Sequence, residues 1–313
     1  MTLQQLEYIS AVATHRHFAR AAEACFVTQP TLSMMIQKLE EELGVKVFDR
    51  SRKPVALTPV GKMILERARK ILKEAEGIPE LARAYKGHIE GTVNMGIIPT
   101  LAPYILPLFA RPFLAKYPGV KLKIWEYTTE QIVRHLRAGT LDVGLMATPV
   151  NHPGIEEHPV FYEPFVVYTT NTYDKEFLLP RDIDPNQLWL LEEAHCFQSQ
   201  VINLCELRQK SSQRLDYEAG SIETLIQLVD SQQGITILPQ LATLSMPKRQ
   251  RRRLKPFLPP APAREVSLVV YHGFARDRML EAVREAIVES LPNSLKSGQD
   301  FLRVDVDIRI EDK

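Results

Sequence analysis

One long helix between two differently patterned segments most constrains the fold of this 313-residue chain. Thr58 and Pro59 provide an N-cap and a proline at the first helical position, and the helical pattern continues to about residue 86. Its apolar residues alternate four and three apart, as Ile64, Ala68, Ile71, Ala75, Ile78, Ala82 and Tyr85. Such a heptad stripe can pack within its own domain, but on a linker it favours pairing with a second chain. The sequence therefore predicts a linker and dimerisation helix over residues 59–86, kinked or tightened near its end by Pro79.

The segment before this helix, residues 1–58, is predicted to form short helices followed by a hairpin. The third helix has an expected N-cap at Thr28 and ends at Gly44, a residue suited to a left-handed C-terminus. Its apolar stripe consists of Leu32, Ile36, Leu39 and Leu43. The opposite face is polar, which is typical of a solvated helix but also suits contacts in a major groove, and the basic hairpin after it suits a wing on phosphates or the minor groove. The candidate DNA contacts are Gln29, Pro30, Thr31, Ser33, Gln37, Lys38, Arg50, Arg52 and Lys53.

The pattern after the linker changes to alternating strands and helices, with a hinge expected at residues 87–91. The predicted strands are 92–98, 120–125, 141–146, 165–169, 188–191, 235–238 and 266–271. A capping box at residues 128–131 opens one of the helices between them, and Gly139 ends it. This alternation predicts parallel sheets covered by helices, with ligands bound at the carboxyl ends of strands.

Composition excludes several classes of function. The net charge of +1 gives no overall nucleic-acid signal, and no apolar run is long enough for a membrane span, so we expect a cytoplasmic protein without membrane contact. Metal-ligand spacings and glycine-rich phosphate loops do not occur, so neither a metal nor a cofactor is expected. The basic run at residues 248–253 is interpreted as a solvated loop, with a second DNA contact as the alternative.

The three cysteines are too few for a disulfide scaffold. Cys25 is interpreted as a core thiol. Cys196 follows His195 directly and lies nine positions before Cys205. A thiol reacts as thiolate, which a neighbouring imidazolium favours, and an oxidised thiol can be captured by a second one as a disulfide. On the residues alone, however, such a pair is more often two buried structural cysteines, because free cysteine is among the most buried residue types.

The N-terminal motifs, in their order, resemble those of the LysR-type regulators. They are Phe18-Ala19-Arg20-Ala21-Ala22, Thr28-Gln29-Pro30-Thr31-Leu32-Ser33, Ile36-Gln37-Lys38-Leu39-Glu40, Leu43-Gly44 and Leu57-Thr58-Pro59-Val60-Gly61. The resemblance implies a winged helix-turn-helix, a dimer linker and an α/β regulatory domain of two Rossmann-like subdomains similar to periplasmic binding proteins. It also implies that the chain crosses between subdomains near Glu163 and returns near the strand after Gly234. The expected domains are residues 1–58, 59–86 and 87–291, with a C-terminal tail of unknown role at 292–313.

The chain is similar to peroxide-sensing members of that family up to about residue 290. The residues concerned include Gly96-Ile97-Ile98-Pro99-Thr100, Ser221-Ile222-Glu223-Thr224-Leu225 and Gly234-Ile235-Thr236-Ile237-Leu238-Pro239. This resemblance implies a peroxidatic Cys196, a resolving Cys205 and a peroxide pocket lined by Thr100, Thr129, His195 and Arg264. It further implies an operator in double-stranded DNA, a homodimer or tetramer, RNA polymerase as a partner and hydrogen peroxide as effector. Phe197, Gln198 and Ser199 depart from the charged residues of better-known relatives.

The helical spacing of Phe197, Val201 and Leu204 predicts that both cysteines lie on or near one short helix in the reduced state. Nine residues of helix span about 13 Å, whereas a disulfide needs Cα atoms within about 7 Å. Oxidation would therefore have to unwind this segment. Two other hypotheses stay open: a regulator of the same family that binds a small metabolite, with incidental cysteines, and a thiol peroxidase, which leaves the winged module unexplained.

Overall fold

The computed structural model describes residues 1–85, 89–191, 196–205, 220–274, 276–296 and 301–306. The chain divides into two units. The first unit contains Met1–His88 and Arg137–Thr140, and the second contains Ile89–Leu136 and Leu141–Lys313. Of the predicted hinge at residues 87–91, residues 87 and 88 lie outside the described residues, and Gly91 begins the first strand of the second unit.

The first unit begins as the predicted winged helix-turn-helix and ends in the linker helix. Its elements are α1 (Leu3–His15), α2 (Phe18–Ala24), α3 (Gln29–Leu43), β1 (Phe48–Asp49), β2 (Ala56–Leu57) and α4 (Pro59–Tyr85). The Thr28 hydroxyl accepts a hydrogen bond from the Thr31 backbone, and Gly44 adopts a left-handed φ of 69°. Both predicted ends of α3 are thus confirmed.

The core of this unit lies between the three short helices and the start of α4. Leu32, Ile36 and Leu39 are fully buried there, as the stripe predicts. Leu43 was wrongly placed in the stripe: it is exposed, because it is the last residue before the chain turns away at Gly44.

The predicted linker helix is confirmed as α4, which continues past Pro79 to Tyr85. Its first turns belong to the core of the unit, because Ala68 is buried and Ile64 packs at the margin. Further along the same heptad stripe, Ile71 is 40% exposed and Ile78 is 69% exposed. Within the described chain, this part of the stripe is left facing solvent.

The second unit is an α/β fold around one large sheet. Its strands are β3 (Gly91–Ile97), β4 (Val120–Glu126), β5 (Val143–Thr148), β6 (Ile155–Thr169), β7 (Ile235–Pro239), β8 (Leu254–Pro256), β9 (Pro262–Tyr271) and β10 (Leu302–Arg303). Its helices are α5 (Ala102–Lys116), α6 (Thr129–Arg137), α7 (Cys196–Leu204), α8 (Ile222–Gln232), α9 (Lys248–Arg251), α10 (Asp277–Ser290) and α11 (Asn293–Lys296). The main strand order is β4-β3-β5-β9-β6-β7.

The prediction of parallel sheets is wrong for most of this sheet. Among the strands of the described residues, only β3 with β4, β3 with β5 and β9 with the short β10 pair in parallel. The long strands β6 and β9 pair antiparallel with one another and with their other main neighbours. The reason is topological: β6 and β9 are reached by connections that turn the chain back, which local helix and strand periodicity does not encode.

Two hydrophobic cores meet along the long strand β6. Phe161 of β6 belongs to the first core and Phe165, four residues later, to the second, so the crossing predicted near Glu163 is confirmed. The predicted return near the strand after Gly234 is wrong, because β7 pairs with the second-core end of β6. The chain returns along β9, whose Val266 lies in the first core.

The remaining local predictions have mixed outcomes. The capping box is confirmed by hydrogen bonds between Thr128 and Gln131 in both directions, and Gly139 has a φ of 66°. The prediction of a strand at residues 188–191 is wrong. A 3-10 turn ends at Gln187, and the next residue, Leu188, pairs with Ile235 as an isolated bridge and not as part of a strand.

Candidate DNA interface and redox site

Helix α3 presents the predicted reading face to solvent. Gln29, Pro30, Thr31, Gln37 and Lys38 are exposed. Ser33 is the exception, because it is half-buried beneath the wing. The buried stripe on the other side of α3 fixes the helix on its core, so the exposed polar groups are held on a rigid element, as base readout requires.

The wing is attached to α3 through Glu40, a residue that the apolar pattern did not single out. Its carboxylate is buried and accepts hydrogen bonds from the backbone N–H groups of Val47 at 2.8 Å and Phe48 at 3.2 Å. Lys46 also contacts it, at 3.2 Å. Because an unpaired buried carboxylate is very costly, this arrangement specifies where the wing begins relative to α3.

Arg50 links the wing to the reading face itself. Its guanidinium donates to the Ser33 hydroxyl at 3.1 Å, lies 3.7 Å from the Glu40 carboxylate and stacks over the Phe18 ring at 4.8 Å. Arg52 is more exposed, and its guanidinium lies 3.1 Å from the Asp49 carboxylate. Lys53 is exposed at the tip of the wing. Arg50 therefore positions Ser33, whereas Arg52 and Lys53 are the wing cations most open to phosphate.

A buried ion pair lies where the second unit changes from one core to the other. Arg264 on β9 and Glu163 on β6 are register partners, and both are fully buried. The guanidinium donates twice to Glu163 Oε2, at 2.7 and 2.9 Å. The other carboxylate oxygen accepts the Leu241 backbone N–H at 2.8 Å. The several hydrogen bonds hold this ion pair in one geometry. Removing either charge would leave the other buried and unpaired.

Two of the predicted pocket threonines lie beyond the carboxyl ends of neighbouring parallel strands, Thr100 after β3 and Thr129 after β4. Arg264 Nη1 donates to the Thr100 hydroxyl at 2.8 Å, so these two predicted residues are brought together. Thr129 is buried, and its hydroxyl has no hydrogen-bond partner among the described residues. The fourth predicted pocket residue, His195, lies outside the described residues.

The predicted short helix is confirmed as α7, which begins at Cys196 and ends at Leu204, directly before Cys205. Phe197, Val201 and Leu204 are all buried in the second core, as their spacing predicts. The Phe197 ring lies 5.5 Å from the Arg264 guanidinium and packs edge-on against Phe165. The first turn of α7 is therefore attached to the buried ion pair through an aromatic side chain.

The thiol of Cys205 is free, and burial raises its pKa to about 11. At neutral pH only about one such thiol in ten thousand is ionised, so it is a poor nucleophile while it stays in this environment. Cys25 is also free, and it is half-buried at the margin of the first unit's core rather than inside it. Burial, with a smaller effect of Glu7, raises the pKa of Cys25 as well.

Two charged residues of these sites, Glu40 and Glu163, escaped the sequence analysis as functional groups. Glu40 follows Leu39 on the buried side of α3, and its position there could have indicated a buried carboxylate. Glu163 lies before the strand predicted at residues 165–169, and only the register with Arg264 shows its partner.

A winged helix-turn-helix on a helix with an exposed heptad stripe, followed by an α/β unit with a buried polar site, defines a DNA-binding transcription regulator. Two family models match the chain: the bacterial regulatory helix-turn-helix protein of the lysR family over residues 3–62 and the LysR substrate binding domain over residues 86–292. The chain belongs to the LysR family. None of the helices in the described part of the chain is long and apolar enough to cross a membrane.

The similar proteins include regulators named OxyR. The chain is 33% identical to the DNA-binding transcriptional dual regulator OxyR of Escherichia coli K12, over 92% of this chain and 95% of that protein. It is 31% identical to the hydrogen peroxide-inducible genes activator of Haemophilus influenzae, over 95% of this chain and all of that one. Among solved structures, a full-length OxyR variant from Pseudomonas aeruginosa is 35% identical, with a TM-score of 0.78, 93% of this chain covered and 99% of that one.

Proposed function

We propose that this chain is a hydrogen-peroxide-responsive transcription regulator switched by a reversible disulfide between Cys196 and Cys205. The observation that carries the proposal is the position of the two cysteines at opposite ends of α7, a helix packed on a buried ion pair. The names of two relatives, a dual regulator called OxyR and an activator of hydrogen peroxide-inducible genes, support the same effector.

The chemistry begins at Cys196, the first residue of α7. The positive end of a helix favours thiolate, and the resemblance adds His195 as a neighbouring imidazole. The thiolate sulfur attacks one oxygen of hydrogen peroxide, the O–O bond breaks, and hydroxide leaves and is protonated to water. Cys196 becomes a sulfenic acid. The Cys205 sulfur then attacks that sulfur, a second water leaves, and the disulfide forms with two electrons passed to peroxide.

The peroxide would bind beside the buried ion pair. Thr100 and Arg264 already contact each other, and the partnerless hydroxyl of Thr129 offers a donor and an acceptor to a small polar ligand. Together with His195, these side chains form the proposed pocket. Glu163 balances the charge of Arg264 and holds the guanidinium in place, so peroxide can be oriented without a net charge being buried.

Disulfide closure requires α7 to unwind. The cysteines are nine residues apart on a helix of about 1.5 Å rise per residue, so their Cα atoms lie about 13 Å apart, well beyond the roughly 7 Å limit of a disulfide. Unwinding also removes Phe197 and Val201 from the second core. Oxidation is thereby coupled to a rearrangement of the regulatory unit, which is the kind of change that can alter subunit contacts and DNA spacing.

The partners follow from the first unit. Exposed Ile71 and Ile78 on α4 support a dimer through a coiled coil, and a dimer predicts a near-palindromic operator with half-sites about 34 Å apart or a multiple of it. A tetramer and contact with RNA polymerase extend this proposal by resemblance to the family.

The decisive experiment maps thiols by mass spectrometry before and after micromolar peroxide. We expect a Cys196–Cys205 disulfide in the native chain, a sulfenic acid in Cys205→Ser and no oxidation at Cys205 in Cys196→Ser. Cys25→Ser is the matched control and should still form the disulfide. Oxidation of Cys205→Ser no faster than that of Cys196→Ser would contradict the proposal.

A metabolite-sensing regulator with incidental cysteines is the second candidate, because the family model that covers the second unit is a substrate binding domain. In that case peroxide leaves the thiol count and the DNA footprint unchanged. Repeated peroxide consumption with a thiol reductant would instead indicate a thiol peroxidase.

A further inference from the structure

The end of the chain forms a strap, defined here as residues 301–306, across the second unit. Its strand β10 pairs in parallel with Pro262 and Ala263 of β9, the two residues before Arg264. These positions lie beyond the part of β9 that β5 covers, which begins at Glu265. The strap thus continues the ladder beside β9 where β5 ends. The sequence alone predicts no role for this segment.

The strap is held by packing on both cores. Val304 is buried in the second core and Val306 in the first. Leu302, two residues before Val304, is 55% exposed. Its backbone is also bonded, because Val304 donates its N–H to the Ala263 carbonyl at 2.8 Å. A terminal segment with two buried anchors is part of the folded unit.

A charge pair fixes the register of the strap. Arg303 donates to Glu265 Oε2 at 3.1 Å, and Glu265 is almost fully buried. The same carboxylate accepts the hydroxyl groups of Tyr162 at 2.7 Å and Thr148 at 2.8 Å. Because Glu265 is the residue after Arg264, the strap contacts β9 on both sides of the proposed peroxide site.

The strap also touches the redox helix. Gln200, in the middle of α7, is fully buried and donates its side-chain N–H to the Val304 carbonyl at 3.0 Å. A carbonyl only accepts, so this bond determines which way the amide is turned. The amide oxygen Oε1 is buried and has no partner among the described residues, so the contact to Val304 is the hydrogen bond that holds this side chain. Unwinding of α7 must break it.

We propose that the strap is a latch on α7: by holding Gln200 it stabilises the helical, reduced arrangement and sets how readily the cysteine segment opens. Opening of α7 requires Gln200 to leave Val304. Loss of the strap removes this hydrogen bond and a buried side chain, both of which oppose the opening. The strap therefore tunes the peroxide threshold of the switch. This role rests on the proposed function, but the latch itself is a property of the reduced fold and can be measured without peroxide.

The test measures opening of α7 through alkylation of Cys205 by iodoacetamide, followed on the Cys205 peptide by mass spectrometry. A Cys196→Ser background excludes disulfide chemistry. We expect a chain ending at residue 300, and separately Gln200→Met, to alkylate Cys205 about tenfold faster. Gln200→Met keeps the volume of the side chain and removes the hydrogen bond, so it reports on the latch even where the truncated chain fails to fold. Leu302→Ala, an exposed change in the same strand, should react at the native rate.

Native alkylation rates in both folded variants would overturn the latch, as would equal acceleration by Leu302→Ala. Peroxide titration of the same variants with both cysteines present is the second measurement. Faster alkylation together with disulfide formation at lower peroxide supports the latch as a threshold device. Faster alkylation without any disulfide would refute the peroxide switch and the threshold role while leaving the physical latch standing, so the two failures are distinguishable.

Discussion

Replacing Val201 by alanine should make the disulfide easier to form, because the buried side chain stabilises only the helical form of α7. Val201 is 1% exposed in the second core. Its truncation removes two carbons, worth about 0.8 kcal/mol each by transfer, and leaves a cavity, for a total near 2 kcal/mol. Since about 1.4 kcal/mol corresponds to about 30 mV for a two-electron couple, the midpoint potential should fall by about 45 mV.

The sign follows from the packing. The substitution destabilises the reduced form, in which Val201 is buried, more than an oxidised form in which α7 is unwound, so oxidation becomes more favourable. Equilibration in glutathione buffers, with the Cys196–Cys205 peptide quantified by mass spectrometry, measures the potential. Val229→Ala is the matched control, because Val229 is fully buried in the same core but lies on α8.

We expect Val229→Ala to lower the melting temperature to a similar degree and to leave the potential unchanged. Equal shifts in both variants, or a destabilised Val201→Ala with the native potential, would refute the claim that α7 must leave the core before the disulfide closes.

Five further outcomes are expected. Arg52→Ala should flatten the salt dependence of DNA binding by about one unit of log slope, and Thr31→Ala should change base preference instead, as footprinting at several salt concentrations would show. Ile78→Asp should shift the sedimentation coefficient towards that of a monomer. An unchanged coefficient would show that this face of α4 does not form the dimer contact. Glu40→Ala should cost about 1–3 kcal/mol in urea unfolding and weaken DNA binding, because two backbone N–H groups of the wing lose their acceptor. Alkylation of Cys205 in Cys196→Ser should rise about tenfold per pH unit up to a pKa of about 11, and an earlier plateau would contradict its burial.

Local signals predicted the first unit well. The cap at Thr28, the left-handed Gly44 and the long helix α4 each depend on residues close in sequence, and the structure confirms all three. Local physics also predicted α7, because Phe197 and Val201 lie on one buried face. In each case the determining contacts lie within a few turns of the chain.

Non-local pairings could not be predicted in this way. The antiparallel course of β9 and the strand β10 depend on partners over a hundred residues away or on the end of the chain. Of the candidate site, Thr100 and Arg264 came from resemblance, whereas their companion Glu163 is visible only in the register of β6 and β9. Strand alternation specifies which side faces a core but not which strand lies alongside.

The pairing of strands β6 and β9 has a mechanical consequence for this regulator. They pair from Ile155 and Tyr271 to Pro164 and Ala263, with one irregularity between Pro159 and Phe161, so the ladder runs from the first core to the edge of the second. A cleft closing by hinge rotation would have to shear or twist this ladder near the end at which the Glu163–Arg264 pair is buried. The scaffold is thus stiff in the direction in which a binding protein bends. The motion that costs the least free energy is the local release of an element outside this ladder. Helix α7 is such an element.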